Sequence, residues 1–337
     1  MTESPVRAIG GPWFEDFIVG QAFDAPAVTI TEGHAAVLQA LTGDRLRLPL
    51  DHHTARRVTG RAEPLAHPLL ALNVAIGQTT FASQRVKANL FYRGVLLRKA
   101  VHLGDTLSTV TRVVALRQNR SQPGRPATGV VALEMTTLDQ HGDEVLHFWR
   151  CPMISCRDAD ARTGLADDLD SVGAVPSLEA VRAAVPRWNM AAAAADWRGR
   201  RAADVEPGER FSIDARDTVT GAPELVRMTL NMAMAHTDAR LSYLGERLVY
   251  GGHTISLAFA QVTRVFPNLL TLIAWESCDH TAPVVENDRV RTEVTLLEKH
   301  PLEQGSLLKL RAETWATRGQ PEAEERVLDW KFWVWSA

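Results

Sequence analysis

Asn231-Met-Ala-Met-Ala-His-Thr-Asp238, followed by Arg247-Leu-Val-Tyr-Gly-Gly-His253, is the stretch of this 337-residue chain whose reading decides the fold. It joins a polar loop to a glycine pair, and then to a run from Thr254 to Val265 with Ile255, Leu257, Ala258, Val262 and Val265 apolar and no interrupting proline. That run predicts a helix ended by Phe266-Pro267. Working outward, an earlier stretch looks like a worn copy: Leu41-Thr-Gly-Asp44, Pro49-Leu-Asp51 and Glu63-Pro-Leu-Ala-His-Pro68-Leu69. In that alignment Asp51 stands where the later copy has a histidine, and Pro68 where it has Gly252. Proline carries no backbone N–H. If this position must donate a hydrogen bond to a developing oxyanion, only the later copy can do so.

Other pairs recur in the same order at a slowly drifting offset. Thr29-Ile-Thr31 pairs with Thr218-Val-Thr220, Asp44 with Asn231, Pro68 with Gly252, Gly104-Asp105 with Asn287-Asp288, and Val145-Leu-His-Phe-Trp149 with Val327-Leu-Asp-Trp-Lys-Phe332. A monotonic drift is what short deletions leave in one copy of a tandem duplication, whereas chance matches scatter. The expected organisation is a first repeat over 1–157, a connector over 158–204 with a helix from Ser177 to Ala184, and a second repeat over 205–337. Each repeat reads as a short helical approach, a loop holding the polar motif, an apolar helix (Leu69 to Gly77, Thr254 to Val265), and then strands. The strands expected are Leu107 to Leu116, Gly129 to Thr137, Val290 to Leu297, Leu307 to Trp315 and Val327 to Trp335. One helix lying on a curved antiparallel sheet is an α+β arrangement.

The formal net charge of -3, with no dense Lys/Arg stripe, gives no case for a nucleic-acid partner. The N-terminus lacks the basic and apolar segments of a signal peptide, and no apolar run is long enough to span a bilayer, so a cytoplasmic protein without a membrane partner is expected. Cys151, Cys156 and Cys278 form no disulfide framework and no metal knuckle, and read as buried small apolar residues. The chain contains no GxGxxG opening a βαβ unit, P-loop, GxSxG or HExxH, so the nicotinamide, nucleotide-hydrolysing, serine-hydrolase and zinc-protease readings all lose support. No cofactor and no metal are expected.

His236 is the candidate acid/base, since a neutral imidazole takes and returns a proton near neutral pH. Gly251-Gly252 before the helix lets backbone approach a ligand, and the helix N-terminus aims free N–H groups at it. Asn231 can orient a water without taking its proton. Asp238 either holds its loop or meets substrate; His253, Arg240 and Arg247 flank the motif and are candidates for an anionic substrate group.

At these residues the chain resembles the MaoC-like enoyl-CoA hydratases, whose loop runs Gly-Asp-x-Asn-Pro-x-His-x-Asp ahead of a His-Gly-Met at the start of the central helix. Within that family it is most similar to the two-repeat mesaconyl-CoA hydratases, also called β-methylmalyl-CoA dehydratases, through Phe14-Glu-Asp-Phe and Gly20-Gln, Asn231 with His236, Arg247 to Ala258, Gly104-Asp-Thr-Leu and the aromatic final strand. The resemblance implies a tandem, or double, hotdog fold, and reversible addition of water across the α,β double bond of an acyl-CoA thioester. CoA would be part of the substrate. His236 would be the acid/base, the Gly252 N–H would hold the thioester oxygen, and Asn231 would place the water. The first repeat would serve mainly to form the cleft. The general family has Asp where this chain has Asn231, which favours a dicarboxylic acyl group able to assist. A broader (R)-specific enoyl-CoA hydratase and a non-catalytic acyl-CoA-binding protein are the alternatives, with a thioesterase behind them. Two fused repeats already supply paired helices, so both a monomer and a homodimer fit.

Overall fold

The computed structural model describes residue 7 and residues 9–194, 197–319 and 323–337. The first repeat runs β1 (Ala22–Phe23), β2 (Val28–Thr29), α1 (Glu32–Thr42), α2 (Arg47–Leu50), α3 (His52–Thr59), α4 (Pro68–Gln78), β3 (Val86–Leu97), β4 (Thr106–Gln118), β5 (Thr128–Leu138) and β6 (Glu144–Ser155). After it come α5 (Leu178–Ala183), capped by the Ser177 hydroxyl, and α6 (Ala191–Ala194). The second repeat runs β7 (Arg210–Ser212), β8 (Asp217–Thr218), α7 (Ala222–Met228), α8 (Gly251–Val265), β9 (Leu269–His280), β10 (Arg289–Pro301), β11 (Ser306–Arg318) and β12 (Ala323–Ser336). All the expected strands are present. Beyond them are the long strands β3, β6 and β9 and the short strands β1, β2, β7 and β8.

The strands form one antiparallel sheet in the order β1-β4-β5-β6-β3-β9-β12-β11-β10-β7, with β2 beside β4 and β8 beside β10. The order is a palindrome about the β3–β9 pairing, so two identical half-sheets meet edge to edge. Each repeat thereby covers a strand edge that would otherwise stay open. Against the sheet lie α4, buried along its whole length, and α8, nearly so. A helix apolar all round must be enclosed on all sides, and one continuous core holds Leu69, Leu72 and Ile76 together with Ile255, Phe259 and Trp330. Asn73 Nδ2 donates to Ser256 Oγ across the two helices at 3.0 Å. The segment between the repeats packs on the outside of this sheet, where Val181, Trp188 and Trp197 join Leu270, Trp333 and Trp335.

Matched hydrogen bonds fix the repeat alignment. Ile30 N–H donates to Asp105 and Val219 N–H to Asp288. Leu46 N–H donates to the Asp44 carboxylate as Ala233 N–H does to the Asn231 amide. The bridge Leu65–His102 matches Leu248–Val285. Two positions therefore shift from the sequence alignment. The first helical residue is Pro68 in one repeat and Gly251 in the other, so Gly251 is the counterpart of Pro68 and Gly252 that of Leu69. Asp51 matches Asp238, each accepting a backbone N–H at the start of a turn, and His236 faces Pro49 in the alignment. The slip arises between these points, where the first repeat inserts α3 and the second has only a 3-10 turn at Ala239–Leu241.

Candidate active site

Helix α7 ends in a turn that carries Asn231 inward. Leu230 N–H donates to Arg227 O and Asn231 N–H to Val226 O, with Leu230 at φ 57°. The equivalent residue of the first repeat is Gly43, at φ 60°, the residue such a helix end ordinarily requires. Asn231 is buried, and its Oδ1 accepts from Ala233 N–H at 2.9 Å. Its Nδ2 has no partner among the described residues. The loop is pinned to the first repeat by Met232 N–H on Thr80 Oγ1 and Met234 N–H on Gln84 O.

His236 sits on the 3-10 turn Met234–His236, half-buried, with Nδ1 2.7 Å from the Leu248 carbonyl oxygen. A carbonyl only accepts, so Nδ1 carries the proton and Nε2 keeps a free lone pair. Burial, with the Arg150 charge adding to it against the Leu248 carbonyl, lowers the imidazole pKa to about 4. The ring is thus a neutral base at physiological pH.

The N-terminus of α8 supplies donors. Tyr250 precedes it with no side-chain cap, and among the described residues neither the Gly251 nor the Gly252 N–H has a partner. In α4 the matching end is closed: Pro68 has no N–H, and His67 Nδ1 accepts from Leu69 N–H at 3.1 Å. The two helix starts thus differ in their capacity to bind an oxygen. Both glycines are also packing requirements. A Cβ on Gly252 would strike Asn73 Oδ1 and the Tyr250 ring, and one on Gly251 would lie 2.5 Å from His280 Nε2.

A cavity of about 280 Å³ opens here. The second repeat contributes Asn231, His236, Tyr250, Gly251 and His280 to its wall, and the first contributes Thr80, Ser83, Tyr92 and Arg150. Of the residues expected from sequence, His236, Asn231 and Gly251 meet at the cavity. Gly252 lies one residue deeper, beneath Asn73 and Tyr250, and does not line it. Asp238 and Arg240 form a surface ion pair at 2.7 Å, and Arg247 pairs with Glu286 at 2.7 Å. His253 is fully enclosed in the core, beside the Leu41 backbone. None of these four lines the cavity.

Sequence reading missed Tyr92, Arg150, Tyr250 and His280. Arg150 had a signal: it interrupts an otherwise apolar inward face of β6, where a charge is rarely tolerated. Tyr92 lies opposite Arg150 in the β3–β6 pairing, and the same places in the β9–β12 pairing are Trp275 and Phe332. Ile76 of the cavity likewise corresponds to Phe259, whose ring packs on His67. Aromatic rings therefore take the Tyr92, Arg150 and Ile76 places of the pseudo-symmetric second site, while its outer part, with Asp44 and His67, lines a cavity of about 340 Å³. Phe332 stacks on Trp330 at 3.8 Å, and the buried Asp44 approaches His67 Nε2 at 3.3 Å. Among the described residues no helix is long and apolar enough to cross a membrane.

No family model matches this chain. It is 32% identical over 322 residues to a β-methylmalyl-CoA dehydratase of Chloroflexus aurantiacus, covering 92% of this chain and 89% of that protein. A mesaconyl-CoA hydratase of Cereibacter sphaeroides is 30% identical over 305 residues, covering 87% and 85%. Among solved structures, a conserved hypothetical protein of Mycobacterium tuberculosis with a double hotdog fold superposes with a TM-score of 0.91 at 45% identity, over 98% of this chain and 100% of that one.

Proposed function

Since this chain belongs to the MaoC-like double-hotdog hydratase/dehydratase family, and is a hydro-lyase acting on acyl-CoA, we propose that it reversibly hydrates a short-chain α,β-unsaturated thioester, mesaconyl-CoA to β-methylmalyl-CoA. One observation carries the reading: an unprotonated imidazole nitrogen and an uncapped helix N-terminus open onto one cavity.

With the thioester carbonyl on the free N–H of Gly251, the amide at the wall, the α8 N-terminus polarises it. The Gly252 N–H, one residue deeper, adds to the positive end of the helix without reaching the cavity wall. Water held by Asn231 Nδ2 gives a proton to His236 Nε2, and its oxygen bonds to Cβ. The π pair moves through Cα to the thioester oxygen, forming an enolate. Nε2–H then returns the proton to Cα and the carbonyl reforms. Asn231 cannot share the proton transfer, because an amide is neither acid nor base near neutral pH. One nitrogen moving both protons delivers H and OH to the same face. Dehydration runs the same steps in reverse.

Incubation with a panel of acyl-CoA thioesters, followed by mass spectrometry, tests this. Gain of water on mesaconyl-CoA is expected. Binding without gain or loss of water on any enoyl or hydroxyacyl thioester would replace the enzyme with a binding protein, and faster turnover of crotonyl-CoA would shift the substrate to plain enoyl chains.

A further inference from the structure

Arg150 is a buried cation with no carboxylate partner among the described residues. It is 4% exposed. Its Nη2 donates to Thr79 Oγ1 at 2.7 Å, Thr79 O at 3.3 Å and Ser83 Oγ at 2.7 Å, all neutral acceptors. Nε is buried without a partner, Nη1 has none among the described residues, and no acid lies within ion-pair distance of the guanidinium. Burying an unpaired charge costs several kcal/mol, so a site retains one where a ligand completes it. Two phenols share the wall with it. Tyr250 Oη is buried and has no partner among the described residues, and Tyr92 faces Arg150 across the β3–β6 pairing. Burial holds both phenols protonated, with Tyr92 pushed up to about 12, leaving them as donors. A guanidinium and two hydroxyls make a receptor for a planar anion. The second repeat has Trp275 and Phe332 at these places, so the receptor exists only beside His236.

Resting on the hydratase reading, we propose that Arg150, with Tyr92 and Tyr250, binds a carboxylate at the far end of the acyl chain and selects dicarboxylic enoyl thioesters over uncharged ones. In a four-carbon dicarboxylic enoyl group that carboxylate is bonded to the carbon that water attacks. Its receptor must therefore stand close to the base, and the Arg150 charge does reach His236. Pairing with Arg150 also offsets the repulsion between the carboxylate and the negative charge that develops on the attacking water oxygen as His236 takes its proton.

The experiment measures kcat/KM for mesaconyl-CoA and for tiglyl-CoA, the uncharged analogue with methyl in place of the free carboxylate, in the parent enzyme, Arg150→Met and Tyr250→Phe. A fall in the mesaconyl-to-tiglyl ratio of roughly 100-fold in Arg150→Met is expected, the loss typical of removing one partner of a buried charge pair. A smaller fall in Tyr250→Phe is expected, and this variant decides the matter if the first does not fold, because it removes only an unpartnered hydroxyl. Equal losses on both substrates, leaving the ratio unchanged, would overturn the selectivity role while the hydratase reading stands. A parent enzyme that hydrates neither thioester would overturn both.

Discussion

His236 Nδ1 and the Leu248 carbonyl oxygen lie 2.7 Å apart, while Leu248 N–H donates back to Ala235 O at 3.0 Å. This two-way clamp fixes the imidazole tautomer and aims Nε2 with no carboxylate behind it. His236→Ala should lower kcat/KM by about 10³, within the range for a lost general acid/base. Its melting temperature should change little, since the side chain is only half-buried. Steady-state kinetics beside thermal unfolding check both, and near-normal turnover would remove His236 from the chemistry.

Burial sets the pH dependence. With His236 at about 4 rather than 6.5, kcat/KM should stay flat from pH 7 to about 5 and fall only near pH 4. A limb at 6.5 would mean an imidazole in water. In the substrate complex a carboxylate paired with Arg150 cancels a charge that lowers this pKa, so the kcat limb should lie above the kcat/KM limb.

Stability follows the same sign. His236, His253 and His280 are all held near 4 by burial, so between 6.5 and 4 the unfolded chain binds more protons than the folded one. Stability is therefore full above 6.5 and is lost as pH falls through that window. Asp279 and Asp288, raised by burial, bind protons more readily in the fold and oppose the loss nearer the carboxylate range. His253→Leu should flatten the dependence by up to about 1.4 kcal/mol per pH unit, the effect of one proton. Urea midpoints at pH 7 and 5 measure it.

The glycine pair separates packing from chemistry. Gly252→Ala places a methyl group against Asn73 Oδ1 and the Tyr250 ring, inside the helix pair, and should cost about 1–3 kcal/mol with loss of activity. In Gly251→Ala the new methyl meets mainly the His280 ring. The double variant Gly251→Ala/His280→Ala should recover stability beyond the sum of the single effects. Additive losses in calorimetry would show that the two residues do not touch.

The duplication, both central helices and the loss of one helix-end donor were legible in the sequence, because they are written in local spacing and in proline chemistry. His236, Asn231 and the glycine pair were legible as candidates for the same reason, one short segment carrying them all, although the donor was expected at Gly252 and it is Gly251 that lies at the cavity wall. Arg150 and Tyr92 were not, since their place beside His236 depends on β6 pairing with β3, and on the second repeat's loop being tied to Thr80 and Gln84. Arg240 and Arg247 misled because neighbouring Asp238 and Glu286 satisfy them. The one-residue slip at Pro68 came from α3, an insertion that leaves no mark on the motifs at either side of it.

Leu230 holds a left-handed conformation that Gly43 adopts without strain in the first repeat. It is 49% exposed, so its side chain contributes little burial. Leu230→Gly should raise stability by up to about 1 kcal/mol, the usual cost of a Cβ in that region, partly offset by the freer unfolded chain. Denaturant titration reads the change, and a clear loss would mean that the leucine packs against something essential.

Asp44 tests whether the first repeat's site is structural. Its carboxylate accepts from Leu46 N–H at 2.6 Å and approaches His67 Nε2, in a place where the second repeat has Asn231 and Tyr250. This pair lines a separate cavity of about 340 Å³ in the first repeat, and neither residue is at the wall of the cavity that holds His236. Asp44→Ala removes a buried partner from both contacts and should cost about 1–3 kcal/mol. Hydration by the folded variant should stay within about twofold of the parent, because Asp44 does not line the cavity that holds His236. A large drop in kcat with intact stability would instead give the first repeat a direct part in the reaction.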